Sequence, residues 1–191
     1  NRDNPFNFHC PDGEHRDMSR QALDNLSHDQ VDALVVIGGD GTMTGAEKFC
    51  ELGVPIIGVP KTIDNDLVAT DYTFGFHTAV DTATEALDRL HTTAESHHRL
   101  MVMEVMGRYA GWIALHAGLA GGADVILIPE LPYNTDRVVE AIEQRQRWGR
   151  HYSIIVASEG VRAQGGQLVT RGLVADSPDP VRLGGVGAVI A

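Results

Sequence analysis

Ala33-Leu34-Val35-Val36-Ile37-Gly38-Gly39-Asp40-Gly41-Thr42 and Val54-Pro55-Ile56-Ile57-Gly58-Val59-Pro60-Lys61-Thr62-Ile63-Asp64-Asn65-Asp66 share one form: an apolar run that stops at a small, polar, acid-bearing turn. Short runs of this kind, bounded by glycine and proline, read as buried strands of a parallel sheet. In such sheets ligands bind beyond the carboxyl ends of the strands. Glycine lets the backbone approach a phosphate closely, and a carboxylate can hold magnesium or remove a proton. Two turns of this composition after neighbouring strands predict a phosphoryl-transfer site.

Outward from these turns, strand and helix alternate with short connections, which predicts a parallel α/β sheet. Residues 1–30 are polar and turn-rich, with a helix over Arg20–Leu26. Strands are predicted at Ala33–Ile37, Val54–Val59, Leu100–Met106, Val125–Ile128 and Tyr152–Ala157. Helices are predicted at Met43–Leu52, stopped by Gly53, at Phe76–Ala94 and Ala110–Leu119, and from an N-cap at Thr135 to Trp148. Phe76, Val80, Ala83, Leu87, Leu90 and Ala94 keep the three-and-four spacing of one buried helix face. Residues 60–75 lack periodicity and read as a functional loop, and residues 160–183 as a long loop or hairpin.

The chain of 191 residues is 43% hydrophobic, enough for a packed core. A formal charge of −11 argues against nucleic acid or an anionic membrane as a partner. No apolar run reaches the roughly 18 residues of a membrane span, and no signal peptide is visible. Cys10 and Cys50 have no metal-ligand spacing and make no disulfide framework, which suits a reducing cytoplasm. His97-His98 reads as a helix-end loop, and Trp112, Trp148 and the remaining methionines as packing. The opening Asn1-Arg2-Asp3 and the closing Gly187-Ala188-Val189-Ile190-Ala191 read as a fragment of a longer protein.

Each motif has a plain alternative. Gly38–Thr42 leaves a strand and enters a helix, where N–H groups and the helix dipole favour an anion. Asp40 fits such a place if magnesium lies between it and phosphate; otherwise it is a cap of an ordinary turn. Thr62-Ile63-Asp64-Asn65-Asp66 sets two carboxylates about an amide, beside a hydroxyl and Lys61. Neighbouring carboxylates acquire separated pKa values, so one can serve as a base; otherwise this is a solvated turn. In Met106-Gly107-Arg108-Tyr109-Ala110-Gly111-Trp112, Arg108 can fork onto phosphate oxygens or is an exposed arginine at a helix start. Glu159, in Ser158-Glu159-Gly160, can bond sugar hydroxyls or is a loop carboxylate. Arg99 alone reads as a surface arginine.

Taken together, these segments resemble the phosphofructokinase family, with Gly38–Thr42, Pro60–Asp66, Glu104–Arg108 and Ser158–Gly160 in the family's order and spacing. The glycine turn is shared with lipid and NAD kinases; Thr-Ile-Asp-Asn-Asp with Met-Gly-Arg-Tyr is far more specific. The resemblance implies a three-layer, Rossmann-like α/β fold, with residues 1–75 part of a nucleotide domain and residues 76–191 part of a sugar-phosphate domain. It implies transfer of a phosphoryl group from ATP, with Mg2+, to the 1-hydroxyl of fructose 6-phosphate. Asp64 would be the base and Thr62 would lie beside the moving phosphoryl group. Asp40 would hold the metal, and Gly39, Gly41 and Thr42 would cradle the nucleotide phosphates. Arg108 would stabilise charge, Ile63, Met106 and Gly107 would line the sugar site, and Glu159 would bind sugar hydroxyls. Arg99 resembles the arginine that reaches the 6-phosphate in a neighbouring subunit, so a homo-oligomer, dimer or tetramer, is expected. Arg2-Asp3 resembles the family's nucleotide-contacting turn.

An acid in place of Gly41 accompanies pyrophosphate use in the family, because its carboxylate would crowd the α-phosphate of a nucleotide. Gly41 therefore favours ATP, whereas Lys61 matches pyrophosphate-dependent members; some ATP-dependent branches combine the two. The family's N-terminal glycine loop and its later Arg-Gly-Gly segment are absent from this sequence. A non-catalytic relative would have lost the base or the arginine, yet Asp64, Asp40, Arg108 and Glu159 are all present.

Overall fold

The computed structural model describes residues 4–174 and 180–191; Arg2 and Asp3 lie outside the described residues. The described residues form two compact units. The first runs to Thr62 and takes in Leu67–Thr70, and the second comprises Ile63–Asp66 and Asp71–Ala191.

In the first unit a 3-10 turn, Pro5–Asn7, is capped by the Asn4 side chain, which accepts from the Phe6 amide. A hairpin of β1 (Phe8–His9) and β2 (His15–Arg16) follows, then α1 (Ser19–His28). The hairpin is not legible in the sequence, because strands of two residues carry no periodicity. Strand β3 (Leu34–Gly38) leads into α2 (Asp40–Glu51) and then β4 (Ile56–Thr62), parallel to β3 with Val35 opposite Ile57 and Gly38 opposite Pro60. Two boundaries differ from the prediction by three residues. Strand β4 runs through Pro60 and Lys61 to Thr62, and α2 starts at Asp40 because an aspartate in the first turn complements the helix dipole. The expectation of buried strands also fails here: Val35, Ile37 and Ile57 are 65%, 60% and 68% exposed.

The second unit holds β5 (Phe74–Gly75), α3 (Phe76–His97), β6 (Leu100–Val105), α4 (Trp112–Ala120), β7 (Val125–Leu127), α5 (Thr135–Arg147) and β8 (Ser153–Ser158). Next come β9 (Thr170–Leu173), antiparallel to β10 (Val181–Leu183), and α6 (Val186–Ile190). Strands β6, β8 and β7 lie in that order, all parallel, so β8 is central and buried along its whole length. The alternation of side chains splits β8 between two cores. Ile154 and Val156 pack with Phe76, Ala83, Leu87 and Ala94 of α3 and with Ile113, Ala114 and Ala117 of α4. Ile155 and Ala157 pack on the opposite face with Leu127, Val161 and Val186, against Val138 and Ile142 of α5. This is the predicted three-layer α/β arrangement, and the apolar face read for α3 is the buried one.

Smaller corrections have local causes. Asn134, not Thr135, caps α5, its Oδ1 accepting from the Arg137 amide at 3.1 Å. Asp124 and Arg145 pair at 2.8 Å, while Asp124 also accepts from the Ile154 amide and Arg145 donates to Ser153, tying α5 to the amino end of β8. Trp148 is 71% exposed and Trp112 42%, so neither is a core residue. His97 is the last residue of α3 and not part of the helix-end loop read for it, while His98 caps the helix in the left-handed region. No helix among the described residues is long and apolar enough to cross a membrane.

Candidate active site

In the first unit the glycine turn after β3 adjoins the carboxyl end of β4. A β-carbon placed on Gly39 would lie 3.6 Å from Thr62 Cβ and 3.7 Å from the Lys61 carbonyl oxygen. Gly39 caps α2, and the amides of Thr42 and Met43 both donate to its carbonyl at 3.0 Å. The amides of Asp40 and Gly41 thus lie at the open end of the helix, where an anion is favoured. Asp40, Gly41 and Thr42 are exposed, and nothing lies within 4 Å of where a Gly41 side chain would begin. Asp40 in this position needs no metal to explain it, since the helix dipole already favours it. Its exposed carboxylate nonetheless fits magnesium, which keeps most of its waters and takes one or two carboxylates together with substrate phosphates. No group of three or more metal-ligating side chains occurs among the described residues.

The second unit gathers a different set at the carboxyl edge of β6–β8–β7. Met106, Gly107 and Arg108 follow β6, and Glu159 directly follows β8. Met106 is 55% exposed. Arg108 is partly buried; its guanidinium donates to the Val181 carbonyl of β10 and lies 5.8 Å from the Tyr109 ring centre. A guanidinium presents its donors in a planar fork whose geometry suits an oxyanion. Ile63 packs against the α3–α4 core and so anchors the turn that carries Asp64.

Asn65 fixes that turn from the other side. It has φ 53°, a left-handed conformation that asparagine tolerates. Its Oδ1 accepts from the Thr73 amide at 2.9 Å, and its Nδ2 donates to the Asp71 carbonyl at 3.4 Å. In the sequence Asn65 reads only as an amide between two acids; the backbone conformation that gives it a clamping role leaves no spacing signal.

The electrostatics join Asp64 to the strand ends. Burial, reinforced by the Asp66 charge, raises the Asp64 carboxyl above the ordinary 3.8. Burial also raises Glu159 above 4.5; Arg108 opposes this, Glu104 and Asp64 add to it, and Arg171 opposes it. Asp64, Arg108 and Glu159 therefore lie within one field, and Glu104 and Arg171 belong to it as well. Glu104 accepts from the Gly185 amide at 2.9 Å and the Gly187 amide at 2.8 Å, which holds the start of α6 against β6. Arg99 is not part of this group. It precedes β6 at the opposite edge of the sheet, about 20 Å away along six strand residues, and is exposed.

A carboxyl poised to take a proton, an arginine to meet developing charge and a second carboxylate for hydroxyls suit the activation of an alcohol. A separate glycine-lined helix start suits a polyphosphate. The family model "Phosphofructokinase" matches residues 1–184. ATP-dependent 6-phosphofructokinase 2 of Clostridium perfringens is 56% identical over 195 aligned residues, covering 100% of this chain and 53% of the relative. The pyrophosphate–fructose 6-phosphate 1-phosphotransferase of Amycolatopsis methanolica is 58% identical, over 87% of this chain and 48% of its own. The chain thus spans about half the length of these curated relatives. Among solved structures, phosphofructokinase from Saccharomyces cerevisiae superposes with a TM-score of 0.71 at 38% identity, over 76% of this chain and 23% of that one. The pyrophosphate-dependent phosphofructokinase of Marinobacter aquaeolei gives 0.69 at 31%, over 81% and 44%. The chain belongs to the phosphofructokinase family.

Proposed function

We propose that the protein transfers the γ-phosphoryl group of ATP to the 1-hydroxyl of fructose 6-phosphate, giving fructose 1,6-bisphosphate and ADP. What supports this reading is Arg108 and Glu159 following β6 and β8 at the carboxyl edge of the second unit's sheet, with the Asp64 charge among those that raise the Glu159 carboxyl. Asp64 takes the proton of the 1-hydroxyl as its oxygen attacks the γ-phosphorus, and the bond to the β–γ bridging oxygen breaks. Its raised pKa brings the base nearer to working pH, which strengthens proton transfer. Arg108 meets the charge on the transferring group, and Thr62 lies beside that group. Glu159 holds sugar hydroxyls, while Ile63, Met106 and Gly107 shape the sugar site. Gly39, Gly41 and Thr42 cradle the nucleotide phosphates, with Arg2 and Asp3 as further nucleotide contacts. Asp40, together with the phosphates, would hold magnesium, which would supply charge neutralisation.

The first unit then belongs to a nucleotide domain and the second to a sugar-phosphate domain. Arg99, exposed at the far edge of the sheet, fits the 6-phosphate in a neighbouring copy, so the working form is a homo-oligomer, in a cytoplasmic setting that the free Cys10 and Cys50 accord with. Asp64→Asn in the full-length gene product is expected to lower turnover by about 10²-fold or more. Near-normal turnover would remove Asp64 from the role. Lys61 supports a second reading in which pyrophosphate is the donor. Open space at Gly41 favours ATP. Rates of the full-length gene product with each donor decide the matter, and a preference for pyrophosphate would overturn the ATP assignment.

A further inference from the structure

Strands β6 and β8 continue beyond their ends as two loops in direct backbone contact. The Glu159 amide donates to the Val105 carbonyl at 2.9 Å, and the Gly160 amide donates to the Gly107 carbonyl at 3.1 Å. At Gly160 there is no room for any side chain. A β-carbon there would overlap the Arg108 carbonyl oxygen and lie 2.6 Å from its carbonyl carbon and 2.9 Å from its Cα. These neighbours are all backbone, so no rotamer change relieves the clash. Gly107 repeats the theme on the facing loop. It has φ 140°, and a β-carbon would lie 2.6 Å from the Ala110 carbonyl oxygen and 2.9 Å from Ser158 Oγ. Gly160 itself is buried, as are Gly107 and Ser158.

We propose that Gly160 is a positioning residue: by bringing its own backbone onto the Arg108 peptide, it sets the separation between Arg108 and Glu159. The inference rests on the reading of Arg108 as the group that meets charge on the transferring phosphoryl and of Glu159 as a ligand of sugar hydroxyls. Gly160 touches neither substrate. It acts through the Arg108 peptide on one side and the adjoining Glu159 on the other.

A methyl group at position 160 drives the two loops apart by about 1 Å, and a misplacement of that size costs about 10²-fold in rate. The test compares Gly160→Ala with Gly45→Ala in the full-length gene product. Gly45 lies within α2 with nothing inside 4 Å of an added β-carbon, so its substitution controls for the loss of a glycine as such. Gly160→Ala is expected to lower kcat/KM for fructose 6-phosphate by about 10²-fold. The KM for the phosphoryl donor and the cooperative unfolding transition are expected to persist, and Gly45→Ala to behave as wild type. Unchanged sugar kinetics in a folded Gly160→Ala protein, or a raised donor KM with an unchanged sugar KM, would overturn the proposal.

Hydrogen exchange on the wild-type protein is a second test that needs no variant, and it decides alone if Gly160→Ala does not fold. The lock requires the Glu159 and Gly160 amides to exchange as slowly as those of β8. Exchange at the rate of an exposed loop would sink it. A wild-type protein that phosphorylates no fructose 6-phosphate but keeps these two amides protected would fail the proposed function while leaving the backbone lock standing.

Discussion

Burial first, and then the Asp66 charge, raise the Asp64 carboxyl above its ordinary value. On the proposed role of Asp64 as the base, the acid limb is displaced upward: turnover should fall as pH drops through a value above 3.8. Asp66→Asn removes the second cause, so the limb should move to lower pH while turnover near neutrality persists. A limb that stays in place would show that Asp66 does not act on the base. For stability the sign is opposite to that of a salt-bridged aspartate. A carboxyl raised in the folded state stabilises fully below its unfolded value, and that contribution disappears as pH rises through the folded value. Asp64→Asn should therefore raise the unfolding temperature of the second unit at neutral pH, with the gain vanishing below about pH 4, where the aspartate is protonated in both states. Equal stability of variant and wild type at neutral pH would contradict the buried-carboxyl account. The placement of Asp64, Arg108 and Glu159 shortly after β4, β6 and β8 is legible in the sequence because apolar runs mark the strands that precede them. The Asn65 clamp is not, since it depends on φ 53° and on Thr73, eight residues away.

At the scale of elements, β8 explains why the second unit holds together. All of its residues are buried, and α3 and α4 seal one face through Leu87, which is 0% exposed. Leu87→Ala should cost about 2–5 kcal/mol, the range for emptying a packed core site. Denaturant unfolding of the second unit would register it, and a loss below about 1 kcal/mol would mean that the site collapses or was never tightly packed. The face of α3 is readable because six apolar positions repeat at helical spacing over a long segment. The ends of elements are less so. The strand through Pro60 to Thr62 hides behind a proline, and the start of α2 at Asp40 hides within a glycine turn that also reads as a loop. The hairpin of β9 and β10 is irregular, with a register shift at Arg182, and only the general form of a loop or hairpin shows in its composition.

Across the molecule the two units are cored unequally. Among the described residues, Cys10 and Ala46 are the only buried apolar side chains of the first unit, whereas both apolar clusters lie in the second. The alternation in β3 sends Val35 and Ile37 to one side of the sheet, and register places Ile57 beside Val35. Helix α2 packs against this sheet, yet these three side chains remain largely exposed. The apolar runs are plain in the sequence but what covers them is not, because composition cannot tell a strand covered on both faces from one covered on a single face. Buried apolar area sets most of a unit's resistance to opening. In the 191-residue chain, amides of β3 and β4 should therefore exchange well before those of β6 and β8, and the first unit should melt at the lower temperature. An apolar dye should bind the native chain, and Ile57→Thr should reduce that binding while leaving the transition of the second unit unmoved. Equal protection of β3 and β8, or dye binding that ignores Ile57, would show that the exposed sheet face does not govern the first unit's stability.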